Sequence, residues 1–327
     1  MSDFIQDLVD ESTRPGETGT KPQNDFLDHF VKLPDGAGAV IMRILAPAPA
    51  GTFGRDKNPL FQYTRVHKVN GRNVHCLKEL SRDSKGKLRF VGDCPICDYY
   101  SWLWQESEKK DPDEAAKLQS QARLIKPIER YYYNVIVRKE TDPKTGENRE
   151  NVGPKILAVG KTLHSIIVDN IVGNAEKSID KLGDVTHPKT GRDFKLIKQL
   201  KQSGKEVYPA YESSKFLEVS AVDPDLYKVW VSNLHDLVAL RVVKDVPALK
   251  KELKIHLGLI PNEQTKFDPS EYQQVSETAV TEVVVQATTK QSSGASSSST
   301  PKVDNPVPED IGVVDEEFFK SLQGLKA

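Results

Sequence analysis

The chain of 327 residues lacks the features that mark membrane, secreted and disulfide-stapled proteins. It has no apolar run near the roughly 18 residues that a transmembrane helix needs. Its first residues are acidic and do not form the basic-then-apolar pattern of a signal peptide, so we expect a cytoplasmic protein with no membrane partner. Its three cysteines are an odd number, and a reducing compartment would keep them out of disulfides.

Sequence patterns of the common catalytic sites are also missing. The chain has no phosphate-binding loop of the G-x-x-x-x-G-K-[ST] type, no G-x-G-x-x-G and no G-x-S-x-G. Its seven histidines include no H-E-x-x-H pair. We therefore expect a protein that is not an enzyme.

The apolar fraction of 37% is low and the charged fraction of 28% is high, which predicts a folded part with solvated segments. The net charge of −1 hides an uneven distribution. Residues 1–20 carry five acids and one base, residues 271–327 carry nine acids and four bases, and the stretch between them has a charge of +8. A basic folded core between acidic ends is the interpretation we favour over scattered surface charge.

Composition also sets the predicted domain limits. We expect an acidic flexible arm over 1–34, a folded core over 35–270, a disordered linker over 271–308 and an acidic-apolar tail over 309–327. The linker is rich in Ser, Thr and Pro, and it cannot bury enough apolar surface to offset the entropy of ordering it.

Hydrophobic patterns within the core predict both strands and helices, without regular βαβ alternation. Runs of β-branched and aromatic residues predict strands over 39–45, 60–69, 131–139, 154–160 and 193–202. Helical spacing predicts a helix over 161–172, and proline positions predict helix starts at Pro112, Pro224 and Pro247. In the helix from Pro224, we expect an apolar stripe that continues to Leu234, Leu237 and Val238. These patterns together favour a mainly β or α+β fold, with either a β-barrel or an α+β core and not a doubly wound sheet.

The most specific signal is a cluster of cysteine and histidine. All three cysteines fall within 22 residues, and two of them form a Cys-Pro-Ile-Cys motif. Asn70-Gly71 predicts a two-residue hairpin turn that pairs His67 with Val74. Because side chains alternate along a strand, His67 and Cys76 then share one face and His75 points away. The pattern predicts one structural Zn²⁺ held by His67, Cys76, Cys94 and Cys97.

Three other interpretations of this cluster stay open. A Cys-Pro-x-Cys motif also occurs in redox proteins, where it begins a helix after a strand. The three thiols could be buried without a metal, or the zinc could be catalytic. The redox interpretation leaves Cys76 and His67 unexplained, and four protein ligands leave no position for a catalytic water.

Aromatic residues lie among basic ones directly after the cysteine motif. Of the chain's 24 aromatic residues, seven lie between positions 99 and 133, near Lys126 and Arg130. Proteins that bind single strands without sequence preference stack bases on such rings and hold phosphates with Lys and Arg. The competing interpretation is that the rings are the hydrophobic packing of a small metal site.

At these residues the chain resembles the single-stranded DNA-binding proteins of T-even-type bacteriophages, the helix-destabilising proteins of phage replication. The resemblance spans roughly 35–260 and rests on the order and spacing of short matches. These are Cys94-Pro-Ile-Cys97-Asp-Tyr99, Tyr131-Tyr-Tyr-Asn134, Val159-Gly160-Lys161 and Tyr211-Glu-Ser-Ser-Lys215-Phe216-Leu217.

The resemblance implies an OB-fold core with a zinc-binding subdomain inserted at about 60–128, peripheral helices and a DNA cleft between the core and the subdomain. It implies that single-stranded DNA is bound without strong sequence preference, during replication, recombination and repair in the cytoplasm of an infected bacterial host. The candidate DNA contacts from the pattern and the resemblance together are Tyr99, Tyr100, Trp104, Lys126, Arg130, Tyr131, Tyr132, Lys161, Lys195 and Lys198.

The resemblance also implies an acidic tail that recruits phage replication and recombination proteins, with Phe318 and Phe319 as candidate partner contacts. The chain departs from the family in three respects. The family's short basic arm, which drives self-association along DNA, is replaced by an acidic N-terminus; the His-to-Cys spacing is shorter than is usual in the family; and the tail is only mildly acidic, with five acids and two bases over 309–327. Two alternative functions stay open, a zinc-stabilised adaptor that binds protein and a single-stranded RNA-binding protein.

Overall fold

The computed structural model describes residues 28–82, 88–141, 148–204, 206–260 and 272–273. These residues form two compact units. The first unit comprises the residues up to Tyr63 and Glu129–Leu240, and the second comprises Thr64–Ile128 and the residues from Arg241 onward. The predicted arm before residue 28 and the predicted linker and tail after residue 273 lie outside the described residues.

The described secondary structure consists of twelve strands, five α-helices and two short 3₁₀ turns. The strands are β1 (Gly38–Ile44), β2 (Phe61–Val69), β3 (Arg72–His75), β4 (Glu79–Arg82), β5 (Leu88–Val91), β6 (Ile128–Thr141), β7 (Asn148–Val159), β8 (Arg192–Ser203), β9 (Glu206–Ala210), β10 (Lys215–Val219), β11 (Val243–Lys244) and β12 (Tyr272–Gln273). The helices are α1 (Pro95–Ser107), α2 (Pro112–Ile125), α3 (Lys161–Val172), α4 (Pro224–Ser232) and α5 (Val246–His256), and the 3₁₀ turns are Thr52–Gly54 and Val238–Leu240. No helix of the described residues is long and apolar enough to cross a membrane.

The first unit's strands form an antiparallel sheet in the order β10-β8-β1-β6, with β7 paired to β6 and β9 to β8. The centre of β6 is buried on both faces, since Tyr133, Val135 and Val137 on one face and Asn134 and Ile136 on the other are all buried. This sheet-rich α+β architecture is consistent with the predicted OB-fold core that carries a metal-binding subdomain.

A buried ion network ties three strands of the first unit together. The Arg43 side chain on β1 is fully buried, and its Nε donates to Asp193 Oδ1 on β8 at 2.8 Å. Asp193 Oδ2 also accepts from Arg138 Nε on β6 at 3.2 Å, while Arg43 Nη2 donates to the Ser220 carbonyl oxygen at 2.7 Å. Gly191 makes room for the guanidinium, since a Cβ there would lie 2.9 Å from Arg43 Nη1. The network fixes β8 against its neighbours.

In the second unit, β2 and β3 form the hairpin that the sequence predicts. Asn70 and Gly71 both have positive φ, 51° and 74°, as a two-residue hairpin turn requires. The strands pair His67 with Val74 and Val66 with His75. The inserted residues after β3 form a second hairpin, in which β4 pairs with β5.

Helices α1, α2 and α5 supply the hydrophobic core of the second unit. Fully buried side chains from α1 and α5 meet there, among them Leu103, Leu249 and Leu253. Asp111 caps α2 by accepting from two backbone N–H groups, and Asp245 caps α5 in the same way from Ala248. In each case the capping aspartate directly precedes the helix: Asp111 precedes Pro112 of α2, and Asp245 precedes Val246 of α5.

One expectation about the helices needs correction, and one helix was not predicted. The stripe predicted to continue through Val238 is wrong, because α4 ends at Ser232, and Asn233 has non-helical φ and ψ of −116° and 24°. Trp230 is buried as predicted, but Leu226 and Val229 on the same stripe are exposed. In addition, α1 was not predicted, although Cys94 is its N-cap and Pro95 its first residue. The cysteine motif therefore begins a helix.

We predict that Asp193→Ala will lower the free energy of unfolding by about 3–5 kcal/mol, because it leaves a fully buried arginine without its counter-charge. The measurement is urea unfolding followed by circular dichroism. Asp225→Ala is the matched control, since that carboxylate pairs with Lys228 at the surface and should change stability little. Equal stability of the two variants would contradict the role given to the network.

Candidate metal centre and nucleic-acid contacts

Four buried side chains of the second unit converge on one point. They are His67 from β2, Cys76 just after β3, and Cys94 and Cys97 at the start of α1. Their ligand atoms all lie within 4.8 Å of one another. These are the four residues that the sequence pattern selects, and His75 is not among them.

The distances within this cluster suit a tetrahedral ion. Cys97 Sγ and Cys94 Sγ lie 3.3 and 3.6 Å from His67 Nε2, and Cys76 Sγ lies 3.4 Å from Cys97 Sγ. A tetrahedral zinc with sulfur and nitrogen ligands at their usual bond lengths separates its ligand atoms by about 3.5–3.8 Å. These three distances are within a few tenths of an ångström of that geometry, and the cluster could hold a metal ion.

Hydrogen bonding selects the nitrogen of His67 that faces the cluster. His67 Nδ1 lies 2.8 Å from the carbonyl oxygen of Ile125, which can only accept, so Nδ1 carries the proton. Nε2 is then the nitrogen that faces the thiols, and loss of its proton would free its lone pair for a metal, the arrangement found for histidines that bind metals. Ile125 is the last residue of α2, so this bond also ties that helix to the site.

The pKa shifts of the cluster show how it distributes charge. Burial disfavours the charged form of His67, but hydrogen bonds with Cys76 and Cys94 outweigh that effect and raise its pKa to about 10. Hydrogen bonds with Cys76 and Cys97 lower the pKa of Cys94 well below its ordinary value. Hydrogen bonds with Cys76 and Cys94 raise the pKa of Cys97, so deprotonation of a second thiol in the cluster is unfavourable. A divalent cation would make that deprotonation favourable by neutralising the charge of the thiolates.

His75, on the opposite face of β3, has a different environment. Burial and the positive charge of Arg241 lower the pKa of His75 to about 4. The alternation predicted from the Asn70-Gly71 turn therefore separates a metal-facing histidine from one that stays neutral at pH 7. His67 and His75 can therefore be mutated as a matched pair, one inside the cluster and one outside it.

The predicted aromatic contacts fall into two groups by exposure. Tyr99, Tyr100 and Tyr131 are buried, whereas Trp104 and Tyr132 are half-buried. Tyr131 stacks on His164 with 3.5 Å between ring centroids and 9° between ring planes, and Tyr99 stacks on Trp102. In the protein alone, the rings of Tyr131 and Tyr99 therefore already pack against other rings, which makes Trp104 and Tyr132 the more accessible candidates for a base.

The predicted basic contacts are spread over several elements. Lys126 is exposed at the end of α2, and Lys161 is exposed as the first residue of α3. The Arg130 guanidinium approaches Gly160, the N-cap of α3, so Arg130 and Lys161 both lie at the positive end of that helix. Phosphate groups bind favourably at such helix ends.

Lys195 and Lys198 are three residues apart on β8 and therefore point to opposite faces of the strand. Lys198 Nζ donates to the carbonyl oxygens of Pro34 and Asp35 and is already engaged. Lys195 lies directly opposite Lys215 of β10. The two predicted lysines are thus not equivalent, and Lys195 belongs to a different surface.

Strand pairing reveals contacts that the sequence alone did not single out. Lys201 lies on the same side of β8 as Lys195, and its direct cross-strand neighbour is Tyr208 on β9, which is 44% exposed. We call the group Lys195, Lys201, Tyr208 and Lys215 the basic face of β8. Its members come from three strands, and only the spacing of Lys195 and Lys201 was visible in the sequence.

A protein-family model described as "gp32 DNA binding protein like" matches residues 36–257 of the chain. The match covers more than half of the sequence and confirms the resemblance to the phage single-stranded DNA-binding proteins. A comparison with curated proteins gave no significant match.

We predict that His67→Ala will abolish metal binding whereas His75→Ala will retain it, because only His67 is one of the four converging ligands. The measurement is metal content by mass spectrometry after purification in excess zinc. A lower pH should speed metal loss from the unaltered protein, since protons compete with the metal for thiolates. Retention of stoichiometric metal by the His67 variant would contradict the ligand assignment.

Proposed function

We propose, because the chain belongs to the gp32 DNA binding protein like family, that it coats exposed single strands of DNA during phage replication, recombination and repair. The family supports single-stranded DNA binding in general. Binding depends little on sequence, because its contacts are with phosphates and with the faces of bases. The protein acts without catalysis, and its place of action is the cytoplasm of the infected bacterial host.

The observation that carries this proposal is the basic face of β8. Lys195 and Lys215 lie directly opposite each other on neighbouring antiparallel strands. Like charges in that position destabilise a sheet, and an anion between them removes the cost. A DNA phosphate is such an anion.

The remainder of that face suits a single strand. Lys201 continues the row of positive charge, and its partner Glu212 is a surface carboxylate at 3.3 Å that screens it only weakly. Tyr208, opposite Lys201, supplies an exposed ring on which a base can stack. One exposed ring thus lies beside several lysines on one face, the combination that sequence-tolerant binding uses.

The metal in the second unit is structural zinc. Three sulfur ligands and one imidazole are the donor set that zinc prefers, and all four coordination positions are filled by protein. His67, Cys76, Cys94 and Cys97 would hold the ion, which supplies folding energy and no reaction chemistry.

The acidic tail is the contact for other replication and recombination proteins, through Phe318 and Phe319. At low salt it also competes with DNA for the basic core, because the two have opposite charge. Self-association along DNA is a further proposal, and the acidic N-terminus makes it weaker than in relatives with a basic arm.

Two alternatives make different predictions. A zinc-stabilised adaptor would bind oligonucleotides poorly, with no quenching of tryptophan fluorescence and little salt dependence. An RNA-binding protein would favour oligo-rU over oligo-dT. No observation of the described residues favours either one over DNA binding.

We predict that the unaltered protein will bind oligo-dT far more tightly than duplex DNA, with an affinity that falls steeply with salt. The double variant Lys195→Ala/Lys215→Ala should reduce the slope of log K against log salt by about 1.4, because each lost phosphate contact removes about 0.7. The control is Lys228→Ala, an exposed lysine on α4 paired with Asp225. Equal binding of duplex DNA and oligo-dT by the unaltered protein would refute the proposed function.

We predict that deletion of residues 274–327 will tighten oligo-dT binding at low salt and leave it nearly unchanged at high salt, where charge competition is screened. Fluorescence anisotropy at two salt concentrations measures this. Unchanged affinity at low salt would show that the tail does not compete with DNA.

A further inference from the structure

Two groups of apolar side chains in the first unit are open to solvent, one toward each end of β8. The first group belongs to the hairpin of β8 and β9, where Leu200 lies opposite Pro209 and Val207 is its diagonal neighbour. All three side chains are exposed. Because side chains alternate along a strand, they point away from Lys201 and Tyr208 of the basic face of β8. We call Leu200, Val207 and Pro209 the hairpin face.

The second group lies where β10 leads into α4. Val219 at the end of β10 and Leu226 and Val229 on α4 are between 37% and 55% exposed. Leu226 and Val229 are three residues apart and therefore lie on the same side of the helix. Trp230 is buried, so the other side of α4 packs into the core. We call Val219, Leu226 and Val229 the α4 face.

The buried ion network holds the α4 face in place. Ser220 directly follows Val219, and its carbonyl oxygen accepts from Arg43 Nη2 at 2.7 Å. The Ser220 hydroxyl donates to Asp193 Oδ2 at 3.1 Å. The backbone between β10 and α4 is thus fixed in the protein alone. Grouped apolar side chains on a fixed, exposed surface are typical of a site that another macromolecule covers.

The two faces are separated along a single strand. Val219 pairs with Arg192 at the start of β8, whereas Leu200 lies near the end of that strand. At about 3.3 Å per residue, the two positions are about 26 Å apart, too far for the faces to meet within one copy of the chain. Two different faces that fit each other join copies head to tail, and such a contact produces an open chain when its rotation does not close a ring.

The segments that carry the two faces have opposite charge. Residues 195–210 contain four lysines and one glutamate, whereas residues 218–229 contain three acids and one lysine. In the second segment, the side chains of Glu218 and Asp225 are 100% and 88% exposed, so their pairs with Arg192 and Lys228 are weak surface pairs. Opposite charge around the apolar groups favours association of one face with the other over association of either face with itself.

We propose that the hairpin face of one copy docks on the α4 face of the next copy, so that copies of the chain join head to tail. The proposal rests on the proposed function, because a DNA strand that binds copies side by side supplies the high local concentration that a small contact needs. Bases do not suit these faces, since their side chains are aliphatic or proline and offer no ring for stacking.

The proposal assigns self-association to the folded unit and not to the acidic N-terminal arm. The separation of the two faces runs along β8, the strand that also bears Lys195 and Lys201. Joining copies head to tail would therefore bring their basic faces into one row. A continuous row of lysines matches the regular spacing of phosphates along a single strand.

The test compares a short oligo-dT that holds one copy with an oligo-dT several times as long. Leu200→Gln/Val207→Gln alters the hairpin face, and Leu226→Gln/Val229→Gln alters the α4 face. Neither changes the charge, so contacts with phosphates are kept. The matched control is Val91→Gln/Leu124→Gln, which removes two exposed apolar side chains from the second unit. Fluorescence anisotropy gives the affinity per copy for each length, and circular dichroism verifies that each variant is folded.

We expect the unaltered protein and the control to bind the long oligomer about tenfold or more tightly per copy than the short one. Each face variant should bind the short oligomer normally and lose the advantage on the long one. An equal mixture of the two face variants should regain part of the advantage, because the intact hairpin face of one variant docks on the intact α4 face of the other. Only a contact between two different faces gives this recovery.

The proposal is overturned if the unaltered protein shows no advantage on the long oligomer, if either face variant keeps it, or if the mixture regains none of it. The full-length variants Phe4→Gln/Leu8→Gln and Phe318→Gln/Phe319→Gln should both keep the advantage. Its loss in either one would show that an end of the chain, and not the folded unit of a second copy, makes the contact. Failure of the unaltered protein to bind either oligomer would instead refute the proposed function.

Discussion

The second unit depends on the convergence of four buried ligand atoms. His67 comes from β2, Cys76 from the position just after β3, and Cys94 and Cys97 from the start of α1; their ligand atoms lie within 4.8 Å of one another. Such a set of thiols and imidazole resists accumulating negative charge, as the raised pKa of Cys97 shows. A divalent ion would resolve that conflict and would at the same time join the hairpin to the helix. The bond from His67 to the Ile125 carbonyl extends the constraint to α2.

Within each unit, buried polar interactions hold the elements that carry the candidate nucleic-acid contacts. In the second unit, helix α1 carries the candidate ligand Cys97 together with the candidate DNA contacts Tyr100 and Trp104. In the first unit, the buried Arg43–Asp193 pair fixes β8 against β1, and β8 presents Lys195 and Lys201. In both cases a buried polar interaction holds the element that bears the exposed charges.

The sequence predicted those features that depend on local chemistry. The Asn70-Gly71 turn sets the hairpin register, and strand alternation then distinguishes His67 from His75 without any knowledge of the fold. Contacts between segments that are distant in the chain could not be predicted from the sequence. Nothing in the sequence indicates that Lys215 faces Lys195, or that Arg65 meets Phe90, because these contacts join segments that are distant in the chain. The prediction that the helix continues beyond Ser232 was wrong for a related reason. Leu234 and Leu237 are buried in the core, as the apolar pattern suggested, but they do not lie in a helix.

The central claim is that a metal centre organises a protein that binds single-stranded DNA. The most direct measurement is the oligo-dT affinity of one preparation before metal removal, after removal by a chelator, and after zinc is added back. The account predicts a large loss of affinity on removal and recovery with zinc at a ratio of one ion per chain. Unchanged affinity in protein shown to be free of metal would contradict it.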